Sequence, residues 1–353
     1  MSEGLRIKSR MHDYQLHFVP DGVASIGDQR KTGAFLVIDQ DLPGAVRIKR
    51  LFDARRVMLL RANEENKTLQ SCAELIQQMV DRDIRRNNVV YAVGGGVVED
   101  VVAFVSTVLF RGVAWVFLPT TLLAQADSCI GSKSSINFRL YKNLLGSFYP
   151  PSRIFVDVNF LKTLPPEQVK SGIGGMLHFY LVDGQVKLAK AVMSRYDYFL
   201  KNPMALEPFI LASLKIKKAM VERDELDKGP RHLFNYGHTF GHAIETVTAY
   251  AISHGQAVSM GMDIANYISW RRGHISRDVF ESLHNILKSN LPVFRIDKSN
   301  WSAYLKALSR DKKNLGRTLG CILTRGPGKM FKTQVPLDLL LKKDILTYFE
   351  SVC

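Results

Sequence analysis

The chain has 353 residues, of which 46% are hydrophobic and 23% are charged, a composition typical of a globular protein with a large buried core. Lysine and arginine outnumber aspartate and glutamate and give a formal charge of +15, which indicates an anionic partner. Because the basic residues form no long run, they do not resemble a nucleic-acid-binding arm. A small anionic substrate fits the charge better, and general solubility is the alternative that needs no partner.

The cysteines and the hydropathy pattern indicate the cellular compartment in which the protein is found. Cys72, Cys129, Cys321 and Cys353 lie far apart and contain no CxxC pair. We find no signal peptide and no apolar run of about 18 residues that could cross a bilayer. We therefore expect a cytoplasmic protein in a reducing environment, with neither a membrane nor a nucleic acid as its partner.

The first half of the chain predicts an α/β domain. Its first ten residues are polar and basic, and we expect them to be loosely held. Short β-branched apolar runs then alternate with amphipathic stretches, a pattern that predicts a parallel sheet covered by helices. The predicted strands are residues 34–39, 57–60, 89–93, 115–118 and 154–157, and the predicted helices are residues 68–83 and 100–109.

The second half predicts long amphipathic helices broken by glycine and proline. The predicted helices are residues 167–182, 208–222, 239–250, 256–272 and 277–289, with a short return to strand at 318–324. We therefore expect an α/β domain over residues 1–160, followed by a helical domain over residues 161–353.

A glycine-rich turn, VGGGVVED at residues 93–100, follows a predicted strand and opens a helix. Its three glycines let main-chain N–H groups approach a phosphate, and the helix N-terminus supplies positive potential. A turn that needs glycine only for packing is the alternative. Thr120 and Thr121, in the following turn, offer hydroxyl groups to a cofactor.

Lys133 lies in a glycine- and serine-rich loop, where a compact cation with small neighbours suits an anionic oxygen. Lys142 and Asn143 follow shortly afterwards and add a second cation and a directional donor. A loop that is merely solvated is the alternative for this stretch.

Three histidines form the most distinctive feature of the second half. His238 and His242 in LFNYGHTFGHAIE are four residues apart, so they share one face of a helix, and His254 follows in SHGQAV. Imidazole is a common metal ligand and a common general base. The pattern favours a metal or catalytic site over a structural role, which is the alternative for a histidine pair alone.

The order of these blocks resembles the 3-dehydroquinate synthase family and, more broadly, the sugar phosphate cyclases. The blocks are GGGVVED, FRG, PTTLLAQADS, GSKSSIN, KNLLG, GHTFGHAIE and HGQAV, within a similarity from about Ala34 to Gly326. The resemblance implies a Rossmann-like NAD-binding α/β domain followed by a helical metal-binding domain, commonly in a homodimer. It also implies NAD- and zinc- or cobalt-dependent cyclisation of a sugar phosphate to a carbocycle, through transient oxidation, loss of phosphate, reduction and aldol closure.

The resemblance assigns residues to each part of that site. The NAD-binding positions are matched by Glu64, Lys67, Gly95, Gly96, Asp100, Thr120, Thr121, Asp127, Lys142, Phe160 and Thr163. The substrate-binding positions are matched by Lys133, Asn143, Lys217 and Arg111, the last of which is implied to reach a neighbouring subunit's site. The catalytic positions are matched by His242, Lys133, Arg231, Asn235 and His178, and the metal ligands by His238 and His254.

The chain departs from the family pattern mainly in the segment GIGGMLH at residues 172–178. Gly175 stands where a glutamate metal ligand is expected, and His178 stands where a substrate-anchoring lysine is expected. Because glycine has no side chain, we expect weaker metal binding than is usual for the family. His178 is an alternative ligand, although its position serves the substrate better, and Gln256 replaces a carboxylate that often lies near the metal.

Glu99 is a further departure, because it stands where the family's cofactor loop usually has glycine. We expect its carboxylate to point to solvent from the first helical turn.

Two hypotheses follow. The first is an active cyclase with a divergent metal site, acting on a sugar phosphate other than the dehydroquinate precursor. The second is an impaired family member that binds NAD or a sugar phosphate without the full chemistry, which the loss of a ligand at Gly175 favours. Retention of the anchors Lys133, Asn143 and Lys217 favours the first.

Overall fold

A computed structural model of the protein describes residues 4–139, 141–297, 299–310, 313–316 and 318–352. The chain divides into two compact units. The first contains the chain up to Leu164 together with Lys217–Leu226, and the second contains Pro165–Ile216 and the chain from Asp227 onward. The boundary that we predict after residue 160 lies close to the first of these divisions.

The first unit is built on a mainly parallel sheet. Its strands are β1 (Gly4–Ile7), β2 (Tyr14–Phe18), β3 (Phe35–Asp39), β4 (Val57–Leu60), β5 (Val90–Gly94), β6 (Trp115–Pro119), β7 (Ile136–Phe138), β8 (Tyr141–Leu145) and β9 (Arg153–Val156). Among the described residues, the main sheet has the order β1-β2-β9-β6-β5-β3-β4, parallel throughout except for the antiparallel pair β1 and β2. Strands β7 and β8 form a separate antiparallel hairpin.

The helices of this unit are α1 (Gly22–Ile26), α2 (Ala45–Lys49), α3 (Leu69–Val80) and α4 (Gly96–Val108). The predicted parallel sheet is confirmed. Its inner strands β3, β5 and β6 are apolar and almost wholly buried, whereas the edge strand β4 leaves Leu59 exposed. All residues of β6 are buried. Leu36, Ile38, Val93 and Leu118 from β3, β5 and β6 belong to one buried cluster.

The N-terminal segment is ordered, so the expectation that the first ten residues are loosely held is wrong for those that the structure describes. Strand β1 pairs with β2. Beyond it, the Ser9 hydroxyl donates to the buried Glu225 carboxylate at 2.7 Å, as does the main-chain N–H of Arg10. The buried carboxylate holds this polar segment in place, a long-range contact that composition does not reveal.

The second unit is mainly helical. Its helices are α5 (Pro166–Val182), α6 (Val186–Met193), α7 (Tyr196–Lys201), α8 (Glu207–Arg223), α9 (His238–Val247), α10 (His254–Arg271), α11 (Arg277–Leu287), α12 (Trp301–Ser309) and α13 (Leu339–Ser351). The part of α8 from Lys217 onward counts with the first unit. Strands β10 (Thr318–Thr324) and β11 (Met330–Pro336) form an antiparallel hairpin, and the first of them was predicted.

Glycines let the helices of this unit approach with backbone against backbone. A Cβ atom at Gly174 in α5 would lie 2.1 Å from the carbonyl oxygen of Gly255 in α10. A Cβ at Gly255 would in turn lie 1.8 Å from the carbonyl oxygen of Ser171. Real Cβ atoms do not approach so closely, so α5 is packed directly on the first turn of α10, beside His254.

None of the helices formed by the described residues is both long enough and apolar enough to span a membrane. Cys72, Cys129 and Cys321 are buried free thiols, and Cys353 lies outside the described residues. Burial raises the pKa of Cys72 to about 12 and raises that of Cys129, which keeps both thiols protonated near neutral pH.

Candidate functional site

The glycine-rich turn joins β5 to α4 in the first unit. A Cβ atom at Gly94 would lie 2.4 Å from the Val98 side chain, and one at Gly95 would lie 2.8 Å from that of Thr121. Packing therefore explains these two glycines. At Gly96 the nearest atom to an added Cβ is 3.8 Å away, an ordinary contact, so packing does not require a glycine there. The open N-terminus of α4 fits the predicted approach of a phosphate.

Glu99 is buried in α4, with 5% of its surface exposed. Its carboxylate accepts a hydrogen bond from the Ser128 hydroxyl. Burial raises the pKa of Glu99 to about 8, and the neighbouring Asp100 and Asp127 carboxylates add to the effect while Lys217 opposes it. The expectation that Glu99 points to solvent is wrong, because its side chain is buried and its carboxylate contacts Ser128.

Lys67 is the centre of a polar network in the first unit. Its Nζ donates to Asp100 Oδ2 at 3.1 Å and to Asn143 Oδ1 at 2.7 Å, and it lies 3.4 Å from Glu64 Oε1. Burial tends to lower the pKa of Lys67, but the Asp100 and Glu64 carboxylates outweigh it and raise that pKa. The structure therefore brings together three predicted cofactor residues and one predicted substrate residue, Asn143.

A second ion pair joins Lys217 and Asp127. Lys217 Nζ donates at 2.7 Å to both the carboxylate and the main-chain carbonyl of Asp127, and the lysine is 7% exposed. Asp127 follows the turn that carries Thr120, which is buried, and Thr121, which is half-buried. These predicted cofactor and substrate residues are thus also neighbours.

The remaining predicted residues of the first unit are more dispersed. Lys133 is exposed and lies 5.9 Å from the centre of the Phe148 ring, and Lys142 Nζ lies 3.8 Å from Glu64. Arg111 is exposed, with a positive φ of 63°. The residues of the turn after β9 differ in exposure, with Phe160 half-buried and Thr163 exposed.

The second unit gathers the predicted histidines. The ring centres of His238 and His242 are 5.4 Å apart, and those of His238 and His254 are 5.3 Å apart. The ring centres of His242 and His254 are 5.8 Å apart, and the ring planes are inclined by 30°. His178, buried in α5, places its ring centre 5.1 Å from that of His238. The four imidazoles therefore form one cluster on α5, α9 and α10.

Burial lowers the pKa of His238 well below its usual range, and the neighbouring rings of His178, His254 and His242 lower it further. The Nδ1 atom of His238 lies 3.2 Å from the carbonyl oxygen of Tyr236. The imidazole is therefore neutral near neutral pH, which is the form that binds metals.

Glu245 lies in the same cluster and was not predicted as a site residue. It is 2% exposed, and its carboxylate oxygens lie 3.2 and 3.3 Å from His254 Nδ1. Ligand atoms of His242, Glu245 and His254 all lie within 4.8 Å of one another. The signal in the sequence was the spacing of His242 and Glu245, which are three residues apart and so share a helix face. Two imidazoles and a carboxylate fit zinc or cobalt.

Other predicted residues lie in the segments next to α9 and α10 and in α5. Arg231 is buried in the turn Pro230–Asn235 that precedes α9, where the Asn235 amide donates to the carbonyl of His232 at 3.0 Å. Gln256 accepts from the Ser253 hydroxyl at 3.1 Å at the start of α10. Gly175 lies in α5 directly after Gly174, the residue that contacts α10.

Solved structures similar to this one include cyclases. A 2-deoxy-scyllo-inosose synthase complexed with carbaglucose-6-phosphate, NAD+ and Co2+ has a TM-score of 0.85 and 26% identity, over 98% of this chain and 99% of that chain. The 2-epi-5-epi-valiolone synthase of Streptomyces hygroscopicus subsp. jinggangensis 5008, with NAD+ and Zn2+ bound, has a TM-score of 0.83 and 22% identity, over 96% and 97% of the two chains, and so supports the fold alone.

Sequence comparisons identify the family. The 3-dehydroquinate synthase of Alkaliphilus metalliredigens (strain QYMF) is 35% identical over 283 residues, 77% of each chain. That of Clostridium tetani (strain Massachusetts / E88) is 36% identical over 254 residues, 71% of this chain and 67% of the relative. The family models for the N-terminal and C-terminal parts of 3-dehydroquinate synthase match residues 57–171 and 176–314. The chain belongs to the 3-dehydroquinate synthase family, whose structural relatives include other sugar phosphate cyclases.

Proposed function

We propose that this protein is a sugar phosphate cyclase that uses NAD and a divalent metal to convert a phosphorylated sugar to a carbocycle with loss of phosphate. One observation carries the proposal: the second unit brings imidazole and carboxylate donors within 4.8 Å of one another, although Gly175 lacks the expected carboxylate. An impaired family member has no need to keep a compact donor group.

The first unit holds NAD in this proposal. The main-chain N–H groups at the start of α4 bind its pyrophosphate next to Gly96, with Gly95, Thr120 and Thr121 alongside. NAD held there would supply the transient oxidation and the later reduction of the substrate, and would so be regenerated in each cycle. The ion pairs of Lys67 with Asp100 and of Lys217 with Asp127 fix the loops around this turn.

The second unit provides the metal ligands and proton carriers. A zinc or cobalt ion polarises a hydroxyl or ketone oxygen of the substrate when it is bound. The resemblance assigns metal binding to His238 and His254 and proton transfer to His242. Burial lowers the pKa of His238 and so favours the neutral imidazole, the form that binds a metal.

Cationic side chains bind the anionic substrate in this proposal. Lys133, Lys217, Arg231 and Arg111 are the cations that we assign to its phosphate and other oxygens, and the formal charge of +15 favours the approach of such a substrate. Asn143 and Asn235 add directional hydrogen bonds, and His178 adds an imidazole where the resemblance implies a lysine. We also infer a cytoplasmic homodimer, in which the exposed Arg111 reaches the neighbouring subunit's site.

The impaired family member remains the second candidate, because Gly175 removes one expected ligand. It predicts that the protein binds NAD or a sugar phosphate and releases no phosphate from either a heptulose or a hexose phosphate.

The experiment is a phosphate-release assay with NAD and Co2+ over a panel of heptulose and hexose phosphates. The proposal predicts metal-dependent release of phosphate from at least one member of the panel, and loss of that release in a His254→Ala variant. NAD binding without phosphate release from any member would favour the impaired protein.

Gly96→Ala is expected to weaken NAD binding at least about tenfold while leaving the fold intact. A Cβ atom has room in the protein at this position, with the nearest atom 3.8 Å away, so only the close approach of a phosphate is obstructed. Isothermal titration with NAD measures the affinity, and thermal unfolding provides the control. Unchanged affinity would show that the start of α4 does not bind the pyrophosphate.

A further inference from the structure

The main chain directly before Lys133 is held in place by contacts within the first unit. The main-chain N–H of Gly131 donates to the hydroxyl of Tyr14, which is buried, at 2.9 Å. The carbonyl oxygen of Ser132 accepts the main-chain N–H of Tyr149 at 2.7 Å. Ser132 is buried, whereas Lys133 is exposed. The loop is therefore fixed up to the residue before Lys133, and the lysine side chain remains accessible to a ligand.

Ser132 has a left-handed main-chain conformation, with a φ of 65°. A residue with a Cβ atom keeps this conformation only where the surrounding contacts compensate for its cost. The Ser132 hydroxyl donates to Oε1 of Glu225 at 2.6 Å, and a hydrogen bond to a carboxylate is stronger than one between neutral groups. Glu225 therefore helps to hold the loop in its observed conformation.

Glu225 also joins this loop to the N-terminal segment of the chain. It is 6% exposed and lies shortly after the end of α8. Its Oε1 atom accepts the Ser9 hydroxyl at 2.7 Å, and its Oε2 atom accepts the main-chain N–H of Arg10 at 2.7 Å. Burial of a carboxylate is unfavourable unless donors surround it, so these donors and Ser132 together keep Glu225 in place. Removal of the carboxylate would therefore release two segments that are distant in the sequence.

We propose that Glu225 is a positioning residue for substrate binding: through Ser132 it holds Lys133 where the lysine can bind an anionic oxygen of the sugar phosphate. The inference rests on the proposed function, which assigns Lys133 to the substrate. Glu225 acts through Lys133 and does not itself contact the substrate. The N-terminal segment contributes to the same support, because Ser9 and Arg10 donate to the same carboxylate.

The test is calorimetric titration of the protein with the panel of heptulose and hexose phosphates, in the presence of Co2+ and with NADH in place of NAD. Because NADH cannot oxidise the substrate, the sugar phosphate is bound and not consumed. Glu225→Met, which keeps the size of the side chain and removes its acceptor atoms, is expected to weaken binding at least about tenfold. Glu225→Gln keeps an oxygen acceptor, and serine hydroxyls can donate or accept, so we expect its affinity to stay within about threefold of the native value.

Two comparisons separate positioning of the lysine from a general loosening of the fold. Glu222→Met is the matched control, since the exposed Glu222 accepts the main-chain N–H of Lys8 at 2.9 Å on the same N-terminal segment. We expect this control to bind the sugar phosphate within about twofold of the native protein. The affinity of Glu225→Met for NAD is also expected to stay within about twofold, because the effect is confined to the loop before Lys133.

The effect of Glu225→Met should disappear when the Lys133 side chain is absent, because the position of a missing side chain has no influence on binding. Lys133→Ala is expected to weaken sugar phosphate binding at least about tenfold. Adding Glu225→Met to Lys133→Ala is expected to weaken it by less than about twofold more. An equal loss in both backgrounds would overturn the proposal, as would native affinity in Glu225→Met.

Thermal unfolding shows whether Glu225→Met folds. If it does not, Ser132→Gly decides the question, because glycine adopts a φ of 65° without strain and lacks the hydroxyl that reaches Glu225. We expect Ser132→Gly to weaken sugar phosphate binding about three- to tenfold in the native background and less than about twofold in Lys133→Ala. Unchanged binding in Ser132→Gly would contradict the proposal.

The failure of this inference differs from the failure of the proposed function. A sugar phosphate that binds equally well to the native protein and to Glu225→Met would contradict the positioning role and leave the proposed cyclase intact. If the native protein binds no member of the panel, the proposed function fails, and the inference fails with it.

Discussion

Gly174→Ala is expected to lower the free energy of unfolding by about 3 kcal/mol and to weaken Co2+ binding as well. The new Cβ would lie 2.1 Å from the carbonyl oxygen of Gly255 and 2.9 Å from the Ser259 hydroxyl. Because the closest atom is main chain, the helices α5 and α10 must separate. That movement shifts His254, the residue before Gly255, away from the other ligands. Urea unfolding and calorimetric Co2+ titration measure the two effects.

The matched control is Gly96→Ala, another glycine-to-alanine change within a helix. Alanine improves intrinsic helix propensity by about 1 kcal/mol in a helix interior such as residue 174, a gain that does not apply in full at Gly96, the first residue of α4. The close packing at Gly174 must therefore outweigh that gain for Gly174→Ala to be the less stable variant. A Gly174→Ala protein as stable as the Gly96→Ala protein would contradict the direct contact between the two helices.

Glu99→Gln is expected to flatten the dependence of stability on pH. Burial raises the pKa of Glu99 from 4.5 to about 8, and each pKa unit corresponds to about 1.4 kcal/mol. A raised pKa in the folded state means that the stabilisation is fully present below the unfolded value and is lost as the pH rises through the folded value. The native protein should therefore lose up to about 4 kcal/mol between about pH 5 and pH 8, and the variant should lose much less.

The control for this comparison is Glu65→Gln, since Glu65 is exposed in the turn before α3. Glutamine at residue 99 still accepts the hydrogen bond from Ser128, so the substitution removes the titration and keeps the contact. Urea unfolding at several pH values provides the data. Parallel curves for the native protein and Glu99→Gln would show that the carboxyl group titrates normally.

Much of the fold follows from hydrophobic periodicity. Strands β3, β5 and β6 are apolar runs whose residues are almost all buried, and the long helices have apolar stripes, so local sequence specifies both. Other elements depend on contacts that no local pattern reports. Strand β1 is short, contains glycine and arginine, and forms because it pairs with β2, while Glu225 holds the residues after it.

Some residues of the candidate site also follow from local sequence, whereas others depend on how distant segments pack. The motifs place the glycine turn, the lysine loops and the histidines, and the structure brings His178, His238, His242 and His254 together as one cluster. The sequence did not reveal the burial of Glu99, because a carboxylate on the first helical turn ordinarily favours solvent. It also did not reveal Glu245, since the distance from Glu245 to His254 depends on how α9 packs against α10.

The proposed cyclisation is tested most directly by comparing the phosphate released with the NAD supplied, using the sugar phosphate that the panel identifies and a limiting amount of NAD with Co2+ present. A cyclase that regenerates its NAD should release many moles of phosphate per mole of NAD, with no net accumulation of NADH. Phosphate release that stops when it equals the NAD added, or that never begins although NAD and Co2+ are bound, would contradict the proposed cyclisation.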